Sequence, residues 1–231
     1  MIEANAHRRP IIIGRWPMRA EEEQELAEKL LRTLGTIESV VGVKLSWAAD
    51  VGDEDRIVMR PFPTHREPAA VDLRPFMTLG DDDRVWTRGG VALPLYGSTN
   101  GLPEGELVSV TGTIGASTRL GNSLRIAFRT DDPHRIPSST GLTTLVEFVG
   151  EIWEADWCAA LTDEISDRVN RPIGQPGVGL VTYWADSLQP PLPALDEATV
   201  WKTAKGTIAV IHDLDIEHAI AYARKVHAAR I

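Results

Sequence analysis

The sequence predicts an α+β fold, a single mainly antiparallel sheet with about three helices packed against it. Three observations carry this. Short apolar runs with period-two alternation recur along the chain without the regular strand-helix-strand rhythm of a parallel sheet. Three segments, at 20–41, 142–153 and 215–229, have apolar residues at helical spacing instead. Turn-rich connections join several of the strands as antiparallel hairpins are joined. The 231 residues are enough to bury one substantial core, and residues 1–231 read as a single domain with a proline-rich, irregular segment at about 61–105.

Taken in order, Ile11 to Trp16 reads as a β-branched strand ended by Pro17. A helix follows from about Ala20, with Leu26, Leu30, Leu34, Ile37 and Val41 inward. Its first turn holds Glu21, Glu22 and Glu23, which the positive end of the helix dipole favours, and Glu25 and Lys29 form an i, i+4 pair in the preferred order. Beyond Val43 the pattern breaks. Short strands are expected around Leu45 and Trp47, at 57–59 and around Val85 and Trp86, among Pro61, Pro63, Pro68, Pro75, Pro94 and Pro103. Residues 107–114 and 123–130 alternate and form a hairpin across the loop between Gly115 and Asn122. A helix with Leu142, Leu145, Val146, Val149, Ile152 and Trp153 inward precedes a strand at 157–161. Further strands fall at 180–184, 200–203 and 207–211, the last two joined tightly at Lys205-Gly206. The final helix, 215–229, is capped by Asp213 or Asp215.

Charge speaks to partners. With 24 Lys and Arg against 33 Asp and Glu, the net charge of −9 opposes nonspecific contact with nucleic acid or an anionic membrane and favours a basic protein partner. One cysteine, Cys158, excludes an intramolecular disulfide framework, and no Cys/His spacing resembles a zinc site. No segment approaches the roughly 20 apolar residues of a membrane span, so a cytoplasmic, soluble protein with no cofactor is expected.

Seven acids and no Lys or Arg lie between Glu147 and Asp167. At about 100° per residue, Glu147, Glu151 and Glu154 share the exposed face of the 142–153 helix, while Asp163 to Asp167 belong to the following loop. Three carboxylates on one face without a cation repel each other, and a partner supplying cations relieves that cost. A solvated helix face explains the same pattern, and Thr144 with Glu147 fits a capping box if the helix starts late. Asp81, Asp82 and Asp83 form a second acidic cluster, readable as a solvated turn or a second contact.

The strongest enzymatic pattern is His212, Asp213, Asp215, Glu217 and His218 at a strand-to-helix junction, a set that a metal-dependent hydrolase can use. Its spacing matches neither H-E-x-x-H nor an EF-hand loop, and a helix N-terminus already favours acids. Cys158 sits in an apolar strand without an activating pattern. Gly112, Gly115 and Gly121 reproduce no dinucleotide fingerprint or P-loop and read as hairpin-turn glycines. Arg119, Arg125, Arg129, Arg135, Arg168 and Arg171 lack the interleaved aromatics of a nucleic-acid surface.

The order of features resembles the immunity protein 52 family of bacteria. The likeness is carried by Gly14-Arg15-Trp16 with the Glu-rich helix that ends near Leu31-Arg32-Thr33-Leu34, by Asn122-Ser123-Leu124-Arg125-Ile126, and by the helix that leads into Asp156-Trp157. It continues through Gly179-Leu180-Val181-Thr182-Tyr183, Gly206-Thr207-Ile208-Ala209-Val210 and the last helix with Glu217-His218. The resemblance implies a cytoplasmic, non-enzymatic antidote that binds a cognate polymorphic toxin. The toxin is commonly a restriction-endonuclease-like nuclease delivered by a secretion system in interbacterial competition. Contact with the toxin is then expected at Glu147, Glu151 and Glu154 first and at Asp81, Asp82 and Asp83 second. The other readings are the hydrolase using His212, Asp213 and His218, and an adaptor that carries an effector without inhibiting it.

Overall fold

The structure, a computed structural model of the chain, describes residues 9–52, 58–64, 67–68, 71–76, 89–100, 105–117, 121–130, 132–169, 176–188 and 190–229. Among these residues it has ten strands and four α-helices, with every recorded strand register antiparallel, so the predicted α+β class holds. The chain divides into two compact units: residues 16–135, and residues 1–15 together with 136–231.

The contiguous unit carries helix α1 (Glu23–Val41) and five strands: β2 (Ser46–Asp50), β3 (Met59–Pro61), β4 (Val91–Ser98), β5 (Glu106–Ile114) and β6 (Asn122–Phe128). Their order is β3-β2-β4-β5-β6. The register places Trp47 beside Gly97, Leu95 beside Val110 and Val110 beside Ile126, so one face is apolar across β2, β4, β5 and β6. Leu26, Leu30, Leu34, Ile37 and Val41 are all buried, as their spacing predicts. The helix begins at Glu23, later than Ala20. Glu21 lies outside it, where its carboxylate joins Arg19 at 2.6 Å and Lys29 at 2.9 Å. The expected Glu25–Lys29 pair is present at 2.7 Å. At the other end the buried Glu38 carboxylate accepts from the Trp47 indole Nε1 and the Leu45 backbone N–H, tying α1 to β2. Asn122 Oδ1 accepts from the Ala116 N–H, and its Nδ2 donates to the carbonyls of Ala116 and Pro17, which fixes the ends of the β5–β6 connection.

Strand β4 has no counterpart in the sequence reading, because Pro94 stands in its middle. The β2 ladder ends at Ala49–Leu95, so Pro94 lies beyond the reach of β2, where a missing N–H is tolerated. The strand expected at 57–59 starts at Met59, with Ile57 outside the described residues. The strand expected around Val85 and Trp86 also lies outside them.

The other unit carries β1 (Ile11–Trp16), β7 (Trp157–Leu161), β8 (Val181–Ala185), β10 (Gly206–Ile211) and β9 (Ala198–Lys202), in that order across the sheet. Helix α2 (Ser139–Ile152) packs on one face. Helices α3 (Asp163–Arg168) and α4 (Ile216–Ala228) pack on the other, around Trp157, Trp184, Ile211 and Tyr222. Burial on both sides explains why β7 is an unbroken apolar run instead of an alternating one. Helix α2 comes close to the sheet because Gly150 has no side chain: a Cβ there would lie 2.5 Å from the Tyr183 ring. The α2 N-cap is Ser138, which accepts from the Gly141 N–H, so the capping box expected at Thr144 and Glu147 does not form. Thr144 Oγ1 instead donates to the Thr140 carbonyl. Asp163 to Asp167 form a helix, not a loop, because Thr162 caps them through the Ile165 N–H and two acids occupy the first turn. Asp215, rather than Asp213, caps α4 by accepting from the His218 N–H. Among the described residues no helix is long and apolar enough to cross a membrane.

Candidate functional site

The acidic residues of α2 lie on the side of that helix that faces the β9–β10 hairpin. Glu151, in the last turn, accepts a hydrogen bond at 3.0 Å from the backbone N–H of Ala204 in the hairpin turn. Glu154 does not share the helix face. The helix ends at Ile152, and Glu154 stands beyond it with a left-handed φ of 47°, its carboxylate 2.8 Å from Lys205 Nζ. The expectation that these acids stand without a cation is therefore corrected for Glu154. Lys205, 51 residues further along the chain, neutralises Glu154, and a backbone donor satisfies Glu151.

Glu147 is different. It lies one turn before Glu151 on the same side of α2, is half-buried, and has no ion-pair partner among the described residues. Burial, and then the neighbouring Glu151 carboxylate, hold its own carboxyl above the usual range. Of the three predicted acids, Glu154 alone has a cation beside it among the described residues, and Glu147 and Glu151 keep the like-charge contact that motivated the prediction. Asp81, Asp82 and Asp83 lie outside the described residues.

Beside this helix the sheet emerges into solvent. Cys158, Tyr183, Ile208 and Trp201 are successive cross-strand partners, so their side chains form one row on the α2 side of the sheet. Helix α2 covers Tyr183 at Gly150, and at the end of the row Trp201 is 38% exposed. The sequence reading placed a strand here without singling out Trp201. The available signal was alternation: Ala198 and Val200 pack toward the α4 core, which turns Thr199 and Trp201 to the other face.

The His212 cluster is dispersed. His212 Nε2 is 3.1 Å from Thr199 Oγ1, Asp215 serves as the α4 cap, and Arg168 bridges Glu217 at 2.5 Å and Glu164 at 2.9 Å. The Arg168 hydrogen bond holds the Glu217 carboxyl below its usual range. Asp213, Asp215 and Glu217 line a cavity of about 380 Å³ with Glu164, Thr162 and Leu180, while neither histidine does. Asp213 and Leu214 both adopt left-handed backbone angles at this junction. Among the described residues no three His, Cys, Asp or Glu side chains are grouped to hold a metal ion. Arg129 and Arg135 pair locally with Glu106 and Asp132, and Arg119 and Arg171 lie outside the described residues. Cys158 is fully buried, and burial pushes its thiol far above the usual range.

Fold and surface together define an α+β protein whose exposed chemistry is a half-buried acid and an exposed indole on one side of a sheet. No family model matches the sequence, and none of the curated proteins matches it. Among solved structures the chain is similar to a Pseudomonas aeruginosa T6SS protein, PA0821, at 12% sequence identity and a TM-score of 0.49, over 94% of this chain and 73% of that one.

Proposed function

We propose that this chain is a non-enzymatic antidote of the immunity protein 52 kind, a cytoplasmic protein that binds and neutralises a cognate protein toxin. The observation that carries the reading is Glu147, a half-buried carboxylate with no cation beside it among the described residues and a raised affinity for a proton. Such a group is better satisfied by a partner's Lys or Arg than by water alone. The nearby Trp201 adds the kind of aromatic surface at which binding energy concentrates.

The resemblance implies a nuclease as the toxin, and the charge of the chain suits such a partner. A nuclease must hold anionic phosphates and so carries a basic cleft, which an inhibitor of net charge −9 approaches under electrostatic steering. An interface of standard size buries about 800 Å² on each partner and excludes substrate from the cleft or its mouth.

The test uses the purified product of the neighbouring gene as the toxin. Glu147→Lys is expected to slow association by about tenfold at low salt and to flatten its salt dependence. Binding of the wild-type chain with an unchanged association rate and salt slope in Glu147→Lys removes this site from the interface. Co-expression addresses the function itself: an antidote keeps the cell alive, whereas an adaptor binds the toxin and the cell dies.

A further inference from the structure

We propose that the outer edge of β9 is an interface for a second copy of this chain, the two β9 strands pairing antiparallel about a twofold axis through Val200. This goes beyond the antidote reading and does not depend on it. The hydrogen-bond parity of the hairpin fixes which backbone groups of β9 face away from β10. Thr203 N donates to the Gly206 carbonyl, and His212 N donates to the Glu197 carbonyl. Hydrogen-bonded pairs in an antiparallel ladder recur every second residue, so Thr199 and Trp201 turn their N–H and C=O groups toward β10. Val200 and Lys202 therefore turn theirs outward. The Ala198 N–H returns to the Leu195 carbonyl, which leaves the Ala198 carbonyl on the edge.

Natural sheets defend such edges with short strands, prolines, bulges or outward lysines. Strand β3 shows the defence, with three residues, one of them Pro61. Strand β9 has five residues, no proline and an unbroken register. Its one lysine, Lys202, is drawn to Asp186 at 2.6 Å.

Charge identifies the occupant. Asp196 and Glu197 precede the strand, while Lys202 ends it and Lys205 follows. Antiparallel pairing of two copies centred on Val200 sets Lys202 of each opposite Ala198 of the other, beside Glu197. Each acidic end thus meets a basic end, twice, by symmetry. Lys202, Lys205 and Glu197 already have intramolecular partners in Asp186, Glu154 and Lys225, so the pattern selects orientation more than it adds affinity. The backbone supplies the rest. The Val200 N–H meets the Val200 carbonyl of the second copy, the Lys202 N–H meets its Ala198 carbonyl, and both contacts occur twice. On the α2 side the exposed Trp201 indole falls opposite Thr199 of the second copy, a cross-strand neighbour that covers it.

Sedimentation and light scattering of the full chain between about 1 and about 200 µM are expected to show the mass rising from 25.4 kDa toward twice that value. Val200→Pro removes one outward N–H and leaves the β10 ladder intact, so it is expected to stay monomeric with an unchanged circular dichroism spectrum. Val200→Cys places two thiols at a hydrogen-bonded pair on the axis, about 5.5 Å apart at Cα, and is expected to cross-link at least about tenfold faster than Thr199→Cys. The buried Cys158 stays silent in that comparison. A wild-type chain that remains at 25.4 kDa throughout, or a Thr199→Cys variant that cross-links as fast as Val200→Cys, overturns the proposal. Should Val200→Pro fail to fold, the cysteine pair decides alone.

Discussion

Replacing Glu38 with alanine tests how α1 is joined to its sheet. Glu38 is 6% exposed, and its Oε1 accepts from the Trp47 Nε1 at 3.1 Å and the Leu45 N–H at 3.3 Å. Its Oε2 meets Lys44 Nζ at 2.8 Å, but Lys44 is largely exposed, and that ion pair contributes only about 0–1 kcal/mol. The two N–H groups decide the magnitude. Left unpaired inside the protein, each costs about 1–3 kcal/mol, so Glu38→Ala is expected to lose about 2–6 kcal/mol. Water entering the space left by the side chain brings the expectation toward the lower half of that range. Glu38→Gln keeps an acceptor oxygen and is expected to lose only about 1–2 kcal/mol, while Lys44→Ala stays within about 0.5 kcal/mol. Urea unfolding followed by far-ultraviolet circular dichroism reads the difference. With a slope of about 2 kcal/mol/M, a 3 kcal/mol loss moves the midpoint by about 1.5 M. A Glu38→Ala midpoint within about 0.3 M of wild type, or a Glu38→Gln variant less stable than Glu38→Ala, refutes the reasoning.

Two glycines should respond to alanine with opposite signs. Gly150→Ala drives a methyl into the Tyr183 ring and is expected to cost about 1–3 kcal/mol, whereas Gly35→Ala, mid-helix with nothing within 4 Å, is expected to gain about 0.5–1 kcal/mol in the same urea assay. Glu147 has a folded-state pKa raised above its usual 4.5, so its ionisation opposes folding, and its favourable contribution at low pH is lost as pH rises through 4.5 toward the raised value. Glu147→Gln is accordingly expected to raise the urea midpoint at pH 7 and to leave it unchanged at pH 4; equal effects at both pH values contradict that assignment. Cys158 is expected to be inert to a disulfide-exchange reagent in the folded chain and to react fully in denaturant, as a thiol assay in each condition will show.

The legibility of the fold followed the range of the interactions that made each element. The α1 stripe, the alternation in β5 and β6 and the Asp215 cap are set within a few residues of one another, and all were readable. Pro94 hid β4 because its tolerance depends on where β2 stops pairing, a property of a strand some 45 residues earlier. The candidate site shows the same division. Periodicity placed Glu147 and Glu151 on one side of α2, whereas the pairing of Glu154 with Lys205 depended on how a hairpin 51 residues away is folded against the helix end. The exposure of Trp201 required knowing how far α2 extends across the sheet, which no local pattern records.

The pairing of β1 with β7 has a consequence for how the chain acquires its structure. Gly14 lies beside Cys158, 144 residues later, so the first strand made is completed only when most of the chain exists. Residues 16–135, which form a compact unit of their own, are synthesised in the interval. A nascent chain therefore carries the isoleucine-rich segment Ile11 to Ile13 through the synthesis of that whole unit before β7 is made. Closing so long a loop makes the β1–β7 pairing a late step, one that a chaperone or a faster-folding variant of the intervening residues would influence. Pulse-labelled hydrogen exchange during refolding should accordingly find the amides that bond β1 to β7 among the last to gain protection.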